Sequence, residues 1–381
     1  MESADRQAEY AARPGAGSGR IASLDQFRGY TVLAMFVVNF LGFFAVVPAA
    51  LKHHNTYCSY PDTVMPQFFF AAGLAYRLTW LKRAATTTPW RLRLRFLRRI
   101  AGLILLGALL YCGPEVVGAW LDPPKPGGPP LVARLLGREL FQALVHIGVT
   151  ALWIMPVIGA RPGVRIAFAA GSAALHVALS HWFYYKWVMT FPGIDGGPLG
   201  FLTWAVPMLA GSLAYDLLAA GTRPAAVRRL AAWGLAMMLL GYALACLNLV
   251  TPPNQYSGGG LRGLLVEPPF VPPTRPVNVW TMSQRAGSVS YLTFGGGFSM
   301  LLLAAFMWAC DVKRFALAPL RTFGSNALAG YVLHMVLDWS FNPWLSRDWP
   351  PWACGIALAL FLACCYLGIR VLEKRGIFLR L

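Results

Sequence analysis

Ten long and nearly uninterrupted apolar runs constrain this chain more than any other feature of its sequence. They cover residues 30–51, 63–81, 99–120, 139–160, 164–188, 197–219, 230–250, 289–311, 323–342 and 350–371. Crossing a bilayer core takes roughly 20 apolar residues in a helix, and only helices or closed barrels satisfy all backbone polar groups in lipid. Because the runs are continuous rather than alternating, they predict an all-α fold, a polytopic integral membrane bundle of about ten transmembrane helices.

The composition excludes an ordinary soluble domain. Hydrophobic residues make up 57% of the 381 residues, and charged residues only 13%, too few to cover a soluble surface of this size. Residues 1–19 are polar and lack the apolar core of a signal peptide, so we predict a disordered cytoplasmic tail. Residues 20–381 are predicted to form a single transmembrane domain, in which the Pro- and Gly-rich segment 251–288 is an external loop.

The positive charge of the chain lies mainly on one side of the predicted bundle. Lys and Arg number 33 against 15 acidic residues, a formal net charge of +18, which by itself would suit a polyanionic partner. With a cytoplasmic N-terminus, most of these cations fall in cytoplasmic loops, above all in the stretch 81–99, which has no acidic residue. This asymmetry follows the positive-inside rule. It predicts cytoplasmic N- and C-termini, a multi-pass protein of the cytoplasmic (inner) membrane, the lipid bilayer as a partner and no nucleic acid.

The polar stretch "LKHHNTYCSYPD", residues 51–62, joins the first two apolar runs. The predicted orientation places this stretch in the first external loop. It contains two adjacent histidines, His53 and His54, and ends on Asp62 at the mouth of the second helix. An imidazole that is oriented by a carboxylate is the usual construction of a general base near neutral pH. The stretch therefore predicts a catalytic histidine, with Asp62 as its orienting partner.

Polar residues inside the apolar runs are few, and ionisable groups at membrane depth are costly. The positions that we single out are Asn39, Gln67, Gln142, His146, His176, Asp216, Asn326 and His334. Gln142 and His146 are four residues apart and therefore share a helix face. Each of these side chains either joins two helices by a hydrogen bond or belongs to a substrate cavity. No CxxC pair and no His/Cys spacing predicts a metal site.

The beginning of the membrane part resembles the heparan-α-glucosaminide N-acetyltransferase family. Members of that family open with an R-x-x-S-x-D-x-F-R-G signature, matched here by "RIASLDQFRG", on a helix that continues to an asparagine, here Asn39. A histidine in a short polar turn follows, here His54, and then an Asp-x-Val-x-Pro-x-Phe segment that begins at Asp62.

Later segments resemble the same family in the same order along the chain. They are "LFQALVHIGV", "GIDGGPLGFLTWAVPMLAG", "NVWTMSQRAGSVSY" and "FGSNALAGYVLHM". Together with the first helix, these segments imply a substrate cavity built from Asn39, Gln142, His146, Asp195, Ser283, Asn326 and His334.

The resemblance implies an acetyltransferase that moves acetyl from cytosolic acetyl-CoA, its co-substrate, to an amino sugar or glycan on the outer side. The active-site histidine of the family maps to His54, and less well to His53. We predict that Arg28 and Arg99 bind the phosphates of the coenzyme. Asp25 either belongs to that binding site or only holds the side chain of Arg28 in place. Two other functions stay open, a surface-polysaccharide O-acyltransferase and an amino-sugar transporter. The sequence is also compatible with a homodimer.

Overall fold

The computed structural model describes residues 22–54, 56–121, 130–135, 140–190, 193, 195–255 and 261–379 of the protein. It is 74% helical, and the described residues contain no strand. The α-helices are α1 (Ala22–Gly42), α2 (Val64–Ala84), α3 (Pro89–Leu121), α4 (Leu131–Arg134), α5 (Ala143–Ile154), α6 (Pro162–Leu179), α7 (Tyr185–Thr190), α8 (Phe201–Ala219), α9 (Arg223–Cys246), α10 (Val289–Met307), α11 (Ala318–Ser325), α12 (Ala327–Phe341) and α13 (Pro351–Lys374). The predicted tail, residues 1–19, lies outside the described residues.

Six helical segments of the described chain are long and apolar enough to cross a membrane. They are α3, α6 with its continuation α7, α8, α9, α10 and α13. This confirms the prediction of an all-α, multi-pass protein in a lipid bilayer. The other four predicted spans correspond to α1, α2, α5 and α12, which are shorter or more polar. Three of these four helices, or the residues beside them, supply most of the cavity described below.

The first helix begins and ends earlier than predicted. The sequence predicts an apolar helix over 30–51, but α1 spans Ala22–Gly42. Its first turn is held against the segment between α10 and α11. Ser23 Oγ donates to Asp311 Oδ2 at 2.7 Å, and Gln26 Nε2 donates to the Leu317 carbonyl at 2.8 Å. The apolar residues after Gly42 leave the helix and form the loop between α1 and α2.

The ninth predicted run is divided into two helices at Asn326. The backbone of this residue is not helical (φ −138°, ψ 51°), and it separates α11 from α12. Its side chain instead holds the end of the chain, since Nδ2 donates to the Ile377 carbonyl at 3.0 Å and Oδ1 accepts from the Leu379 N–H at 3.1 Å. The prediction that Asn326 and His334 share one helix and one cavity is therefore wrong.

Glycines allow the central helices to approach backbone to backbone. A Cβ on Gly29 of α1 would overlap the Leu320 carbonyl of α11, and one on Gly324 would overlap the Asp25 carbonyl. The same reciprocal arrangement joins α2 and α8 at Gly73 and Gly211. Small residues at helix crossings are typical of membrane bundles, and here they bring α1 and α2 to the centre of the fold.

A buried ion-pair cluster joins three helices at the end of the bundle where α1 begins. Asp216 of α8 lies between two arginines, Arg77 of α2 and Arg165 of α6, and forms an ion pair with each. Arg77 also donates to the Ile158 carbonyl at 2.6 Å, and Arg165 donates to Ser212 Oγ at 2.8 Å. Asp216, which the sequence predicts as either a contact between helices or a cavity residue, is thus a contact between helices.

Candidate functional site

A fully buried carboxylate, Asp62, organises the loop between α1 and α2. Asp62 lies in a single 3₁₀ turn, Pro61–Thr63, that leads directly into α2. Its Oδ2 accepts hydrogen bonds from the backbone N–H and the hydroxyl of Ser59, at 2.7 and 2.8 Å. The hydroxyl of Tyr291 donates to the Asp62 carbonyl oxygen at 2.6 Å. The two bonds from Ser59 offset the cost of burying the carboxylate and fix its direction, while the bond from Tyr291 holds the backbone of the turn.

The imidazole that contacts this carboxylate belongs to His53. Its Nδ1 lies 2.8 Å from Asp62 Oδ1, and 46% of the side chain remains exposed. Burial lowers the pKa of His53, but the hydrogen bond to Asp62 and its negative charge, followed by Asp195 and Gln284, outweigh burial and raise the pKa above its ordinary value. With the Nδ1 proton directed at Asp62, Nε2 is the basic nitrogen of the neutral ring.

The predicted pairing of His54 with Asp62 is wrong. His54 Nε2 lies 2.7 Å from the Ala49 carbonyl oxygen, and the ring stacks on Tyr57 with centroids 4.3 Å apart. The chain leaves the 3₁₀ turn Ala49–Leu51 through an extended Lys52. The two adjacent histidines therefore have different partners, and the imidazole that reaches the carboxylate is that of His53.

A second buried carboxylate, Asp195, forms a pair with a buried amide. Asp195 is 2% exposed and accepts a hydrogen bond at 2.7 Å from Nε2 of Gln284, which is also buried. Burial raises the pKa of Asp195 to about 6, although the Gln284 hydrogen bond and the charge of His53 lower it in part. The predicted cavity residue Asp195 lies outside the lining of the cavity, although its negative charge helps to raise the pKa of His53.

An open cavity of about 490 Å³ lies in front of His53. Its volume falls within the range of roughly 300–1,000 Å³ that is usual for small-molecule sites. Its lining consists of Val38, Asn39 and Gly42 of α1, Lys52 and His53 of the loop, Tyr111 of α3, Gln142 before α5, and Tyr331, His334, Met335, Asp338 and Trp339 of α12. The predicted cavity residues Asn39, Gln142 and His334 are thus brought together beside His53.

The wall of the cavity formed by α1, α3 and α12 is polar, and its side chains contact one another. Asn39 Nδ2 lies 3.3 Å from His334 Nε2, and the His334 ring stacks on Phe36 with centroids 5.3 Å apart. The hydroxyls of Tyr111 and Tyr331 form a short hydrogen bond with each other. These contacts hold an amide, an imidazole and two phenols around the space that a ligand of this cavity would occupy.

Two further predicted cavity residues lie outside the lining. Ser283 is 1% exposed and builds the turn before α10, because its Oγ accepts from the Ala286 N–H at 3.1 Å. His146 is fully buried in α5, near the ring of Trp204. Neither ring nitrogen of His146 has a hydrogen-bond partner among the described residues, and the same holds for Thr150 Oγ1 one turn later.

The predicted coenzyme residues lie near the opposite end of the bundle from His53. Asp25 is buried and Arg28 half-buried in the first two turns of α1. Arg99 is exposed on α3, where its charge acts on the hydroxyl of Tyr76. All three residues therefore lie outside the lining of the cavity.

Tyr111 and Gln284 are among the residues that the sequence reasoning missed. Tyr111 lies in an apolar stretch of α3, and a tyrosine in such a stretch does not by itself indicate a functional site. Gln284 lies within the segment that supplied Ser283, yet only its side chain reaches Asp195, 89 residues away in the chain. A contact of that separation leaves no trace in local patterns.

Comparison with known proteins assigns no function to the site, so the site is interpreted from its own chemistry. No protein-family model and no functionally characterised protein matches the chain. Within the described residues, no group of three or more His, Cys, Asp or Glu side chains has the arrangement of a metal site. The arrangement that carries chemical meaning is a carboxylate-oriented imidazole at the edge of a polar cavity.

Proposed function

We propose that the protein is a membrane acetyltransferase that transfers acetyl from acetyl-CoA to an amino sugar or a related glycan. The observation that carries this proposal is the pair formed by His53 and the buried Asp62 at the edge of the 490 Å³ cavity. An imidazole whose Nδ1 is held by a carboxylate is an efficient general base. The resemblance of the ordered segments to the heparan-α-glucosaminide N-acetyltransferase family supports acetyl transfer as the reaction.

The proposed reaction is a direct transfer between two bound substrates. As the amine nitrogen of the acceptor attacks the thioester carbonyl, Nε2 of His53 accepts one proton from that nitrogen. The C–N bond forms, the C–S bond breaks, and the thiolate of the coenzyme leaves and takes up the proton. Asp62 orients the ring and stabilises the imidazolium that forms meanwhile. The amides and phenols of the cavity, Asn39 among them, would bind the hydroxyls of a sugar.

The proposed orientation places the His53 cavity on the outer side of the cytoplasmic membrane. Ten membrane spans with cytoplasmic termini put the basic stretch 81–99 inside, as the positive-inside rule requires. Acetyl-CoA would then bind from the cytoplasm, near Arg28 and Arg99, and its acyl arm would have to reach the cavity through the bundle.

Buried polar atoms along α5 support such a route. The two nitrogens of His146 and Thr150 Oγ1 lie on one face of α5, one turn apart, without partners among the described residues. Buried polar groups normally have a hydrogen-bond partner. Gln142, one turn before His146, lines the cavity. We propose that the amide groups in the acyl arm of acetyl-CoA lie along this face of α5. There they would form the hydrogen bonds that His146 and Thr150 lack.

Replacing His146 with leucine tests this route. We expect the apparent KM for acetyl-CoA to rise, because a hydrogen-bonding partner of the donor is lost, while the KM for the acceptor stays unchanged. The thermal stability should stay unchanged or increase, since an apolar side chain carries no unsatisfied polar atoms. Steady-state kinetics and thermal unfolding in detergent measure both effects. An unchanged KM for acetyl-CoA would remove His146 from the donor route.

The proposed activity is tested with purified protein reconstituted in lipid vesicles. We expect labelled acetyl from acetyl-CoA to appear on glucosamine, used as an amine-bearing probe, and not on N-acetylglucosamine, whose amine is blocked. Equal labelling of N-acetylglucosamine would instead indicate an O-acyltransferase. Accumulation of labelled glucosamine in the vesicles without acetyl-CoA would indicate a transporter. Absence of any acetylated product with both probes and with glycan acceptors would contradict acetyl transfer.

A further inference from the structure

Two tyrosine hydroxyls are bonded to each other in the lining of the cavity. They belong to Tyr111 of α3 and Tyr331 of α12, which line the same cavity as His53. Tyr111 is 5% exposed, and its hydroxyl oxygen also accepts a hydrogen bond from the backbone N–H of Leu144 at 3.3 Å. The pair therefore joins α3 and α12 to the start of α5.

A count of hydroxyl protons leaves one donor of this pair unused. The bond from Leu144 occupies a lone pair of Tyr111 and none of its protons. If Tyr111 donates to Tyr331, the proton of Tyr331 is unused, and if Tyr331 donates, the proton of Tyr111 is unused. Either way, one phenolic proton has no acceptor within the described part of the chain. Because buried polar groups normally have a partner, this proton is a donor that the cavity offers to a ligand.

The bond from Leu144 strengthens that donor. Leu144 is the second residue of α5, and the first N–H groups of a helix have no partner within the helix. They form the positive end of the helix dipole, and hydrogen bonds in a chain polarise one another. The proposed route of the acyl arm along α5 reaches the cavity at Gln142, two residues before Leu144. The thioester would therefore arrive beside the two phenols.

We propose that Tyr111 and Tyr331 form an oxyanion hole, in which the unused phenolic proton is donated to the carbonyl oxygen of the thioester. This inference rests on the proposed function. As the acceptor nitrogen attacks, the π electrons of the carbonyl move to its oxygen, and the phenol stabilises the negative charge without giving up its proton. When the C–S bond breaks, the carbonyl double bond forms again, and the proton held by His53 goes to the thiolate. The phenolic lone pairs stay available to the hydroxyls of a sugar.

A carbonyl oxygen suits this donor because it accepts hydrogen bonds and donates none. A sugar hydroxyl does both, and the amides of Asn39 and Gln142 and the carboxylate of Asp338 line the same cavity. The ammonium of Lys52, a further donor of the lining, donates to the Ala45 carbonyl of the loop at 3.2 Å. We therefore assign the unused phenolic proton to the thioester.

The test removes the two hydroxyls with little change of shape. In the double variant Tyr111→Phe, Tyr331→Phe we expect kcat to fall by about 10²–10³-fold, the usual effect of losing an oxyanion-hole donor. Both KM values should change little, because the bond strengthens only as charge develops on the oxygen. Each single variant leaves one phenol with a free proton and should lose less. The matched control is Tyr30→Phe, Tyr60→Phe, which removes another pair of bonded hydroxyls, 2.7 Å apart, outside the lining.

Turnover is measured with glucosamine as the acceptor and, without it, as hydrolysis of acetyl-CoA, since both reactions place negative charge on the same oxygen. Thermal stabilisation by coenzyme A, which has no thioester, should persist in the double variant and shows that it folds and binds the coenzyme. Loss of that stabilisation would overturn the proposal, because the role of the phenols would then be structural. An unchanged kcat in the double variant would overturn it as well, as would an equal loss of kcat in the control.

These outcomes leave the proposed function in place, because the wild-type protein still transfers acetyl. If the wild-type protein neither transfers nor hydrolyses the acetyl group of acetyl-CoA, the proposed function fails, and the assignment of the two phenols fails with it.

Discussion

Replacing His53 with alanine is expected to lower acetyl transfer by about 10²–10⁴-fold, the usual contribution of a positioned general base. The same change at His54 should cost far less, because the contacts of its ring within the described part of the chain are with the Ala49 carbonyl and the ring of Tyr57. The two residues are adjacent in sequence and of the same type, so each variant is the matched control of the other. Labelled acetyl transfer to glucosamine by protein in vesicles measures both.

The pH dependence gives this prediction a second readout. Because Asp62 and Asp195 raise the pKa of His53, transfer by a neutral base should increase with pH through a midpoint above 6.5, the ordinary value for histidine. In Asp62→Asn the rate should fall, and its midpoint should move to lower pH as the charge is lost. Loss of activity in His54→Ala with retention in His53→Ala would contradict the assignment of the base.

The sequence predicts the class of this fold well because hydropathy reports burial in lipid directly. The all-helical bundle follows from the continuous apolar runs, and each run coincides at least in part with a helix. What the runs cannot predict is where a helix ends within an apolar stretch. Residues 43–51 are apolar and yet form a loop, and Asn326 interrupts a run because its side chain binds the C-terminal segment.

The site is predictable only as far as local sequence determines it. The loop composition indicates a histidine and a carboxylate, but the choice between His53 and His54 depends on how the folded loop directs the two adjacent side chains to different partners. Likewise, Asn39 and His334 are each recognisable as costly polar residues in apolar helices. Their contact with each other, 295 residues apart in the chain, requires the packed bundle.

The helices that fall short of an ideal membrane span also explain where the cavity lies. α1 and α12, together with Gln142 before the short α5, supply most of its polar lining. Polar groups at membrane depth are stable only when they face protein or a water-filled space. The long apolar helices α9 and α13, only 22% buried over their apolar windows, can therefore face lipid and shield the others. The helices that build the site are thus those that are too short or too polar to form a full membrane span.

Replacing Asp216 with asparagine is expected to be the most destabilising single change outside the site. Asp216 forms ion pairs with both Arg77 and Arg165, which are 7% and 0% exposed. Removing one partner of a buried ion pair costs about 3–5 kcal/mol, because the remaining charge loses its compensation. Here one substitution affects two guanidinium groups that join α2, α6 and α8. Thermal unfolding in detergent should show a markedly lower Tm, whereas Asn at the exposed Asp348 should leave it unchanged.

A triple variant separates the charge from the packing in this cluster. In Arg77→Leu, Asp216→Leu, Arg165→Leu no charge remains buried, and replacing a whole buried ionic cluster with apolar residues is often neutral. We therefore expect the triple variant to be more stable than Asp216→Asn, although it carries three changes instead of one. Wild-type stability in Asp216→Asn would contradict the structural role of the cluster. Recovery of stability without recovery of acetyl transfer would instead place these arginines in the binding of the anionic donor, because a purely structural cluster would restore both together.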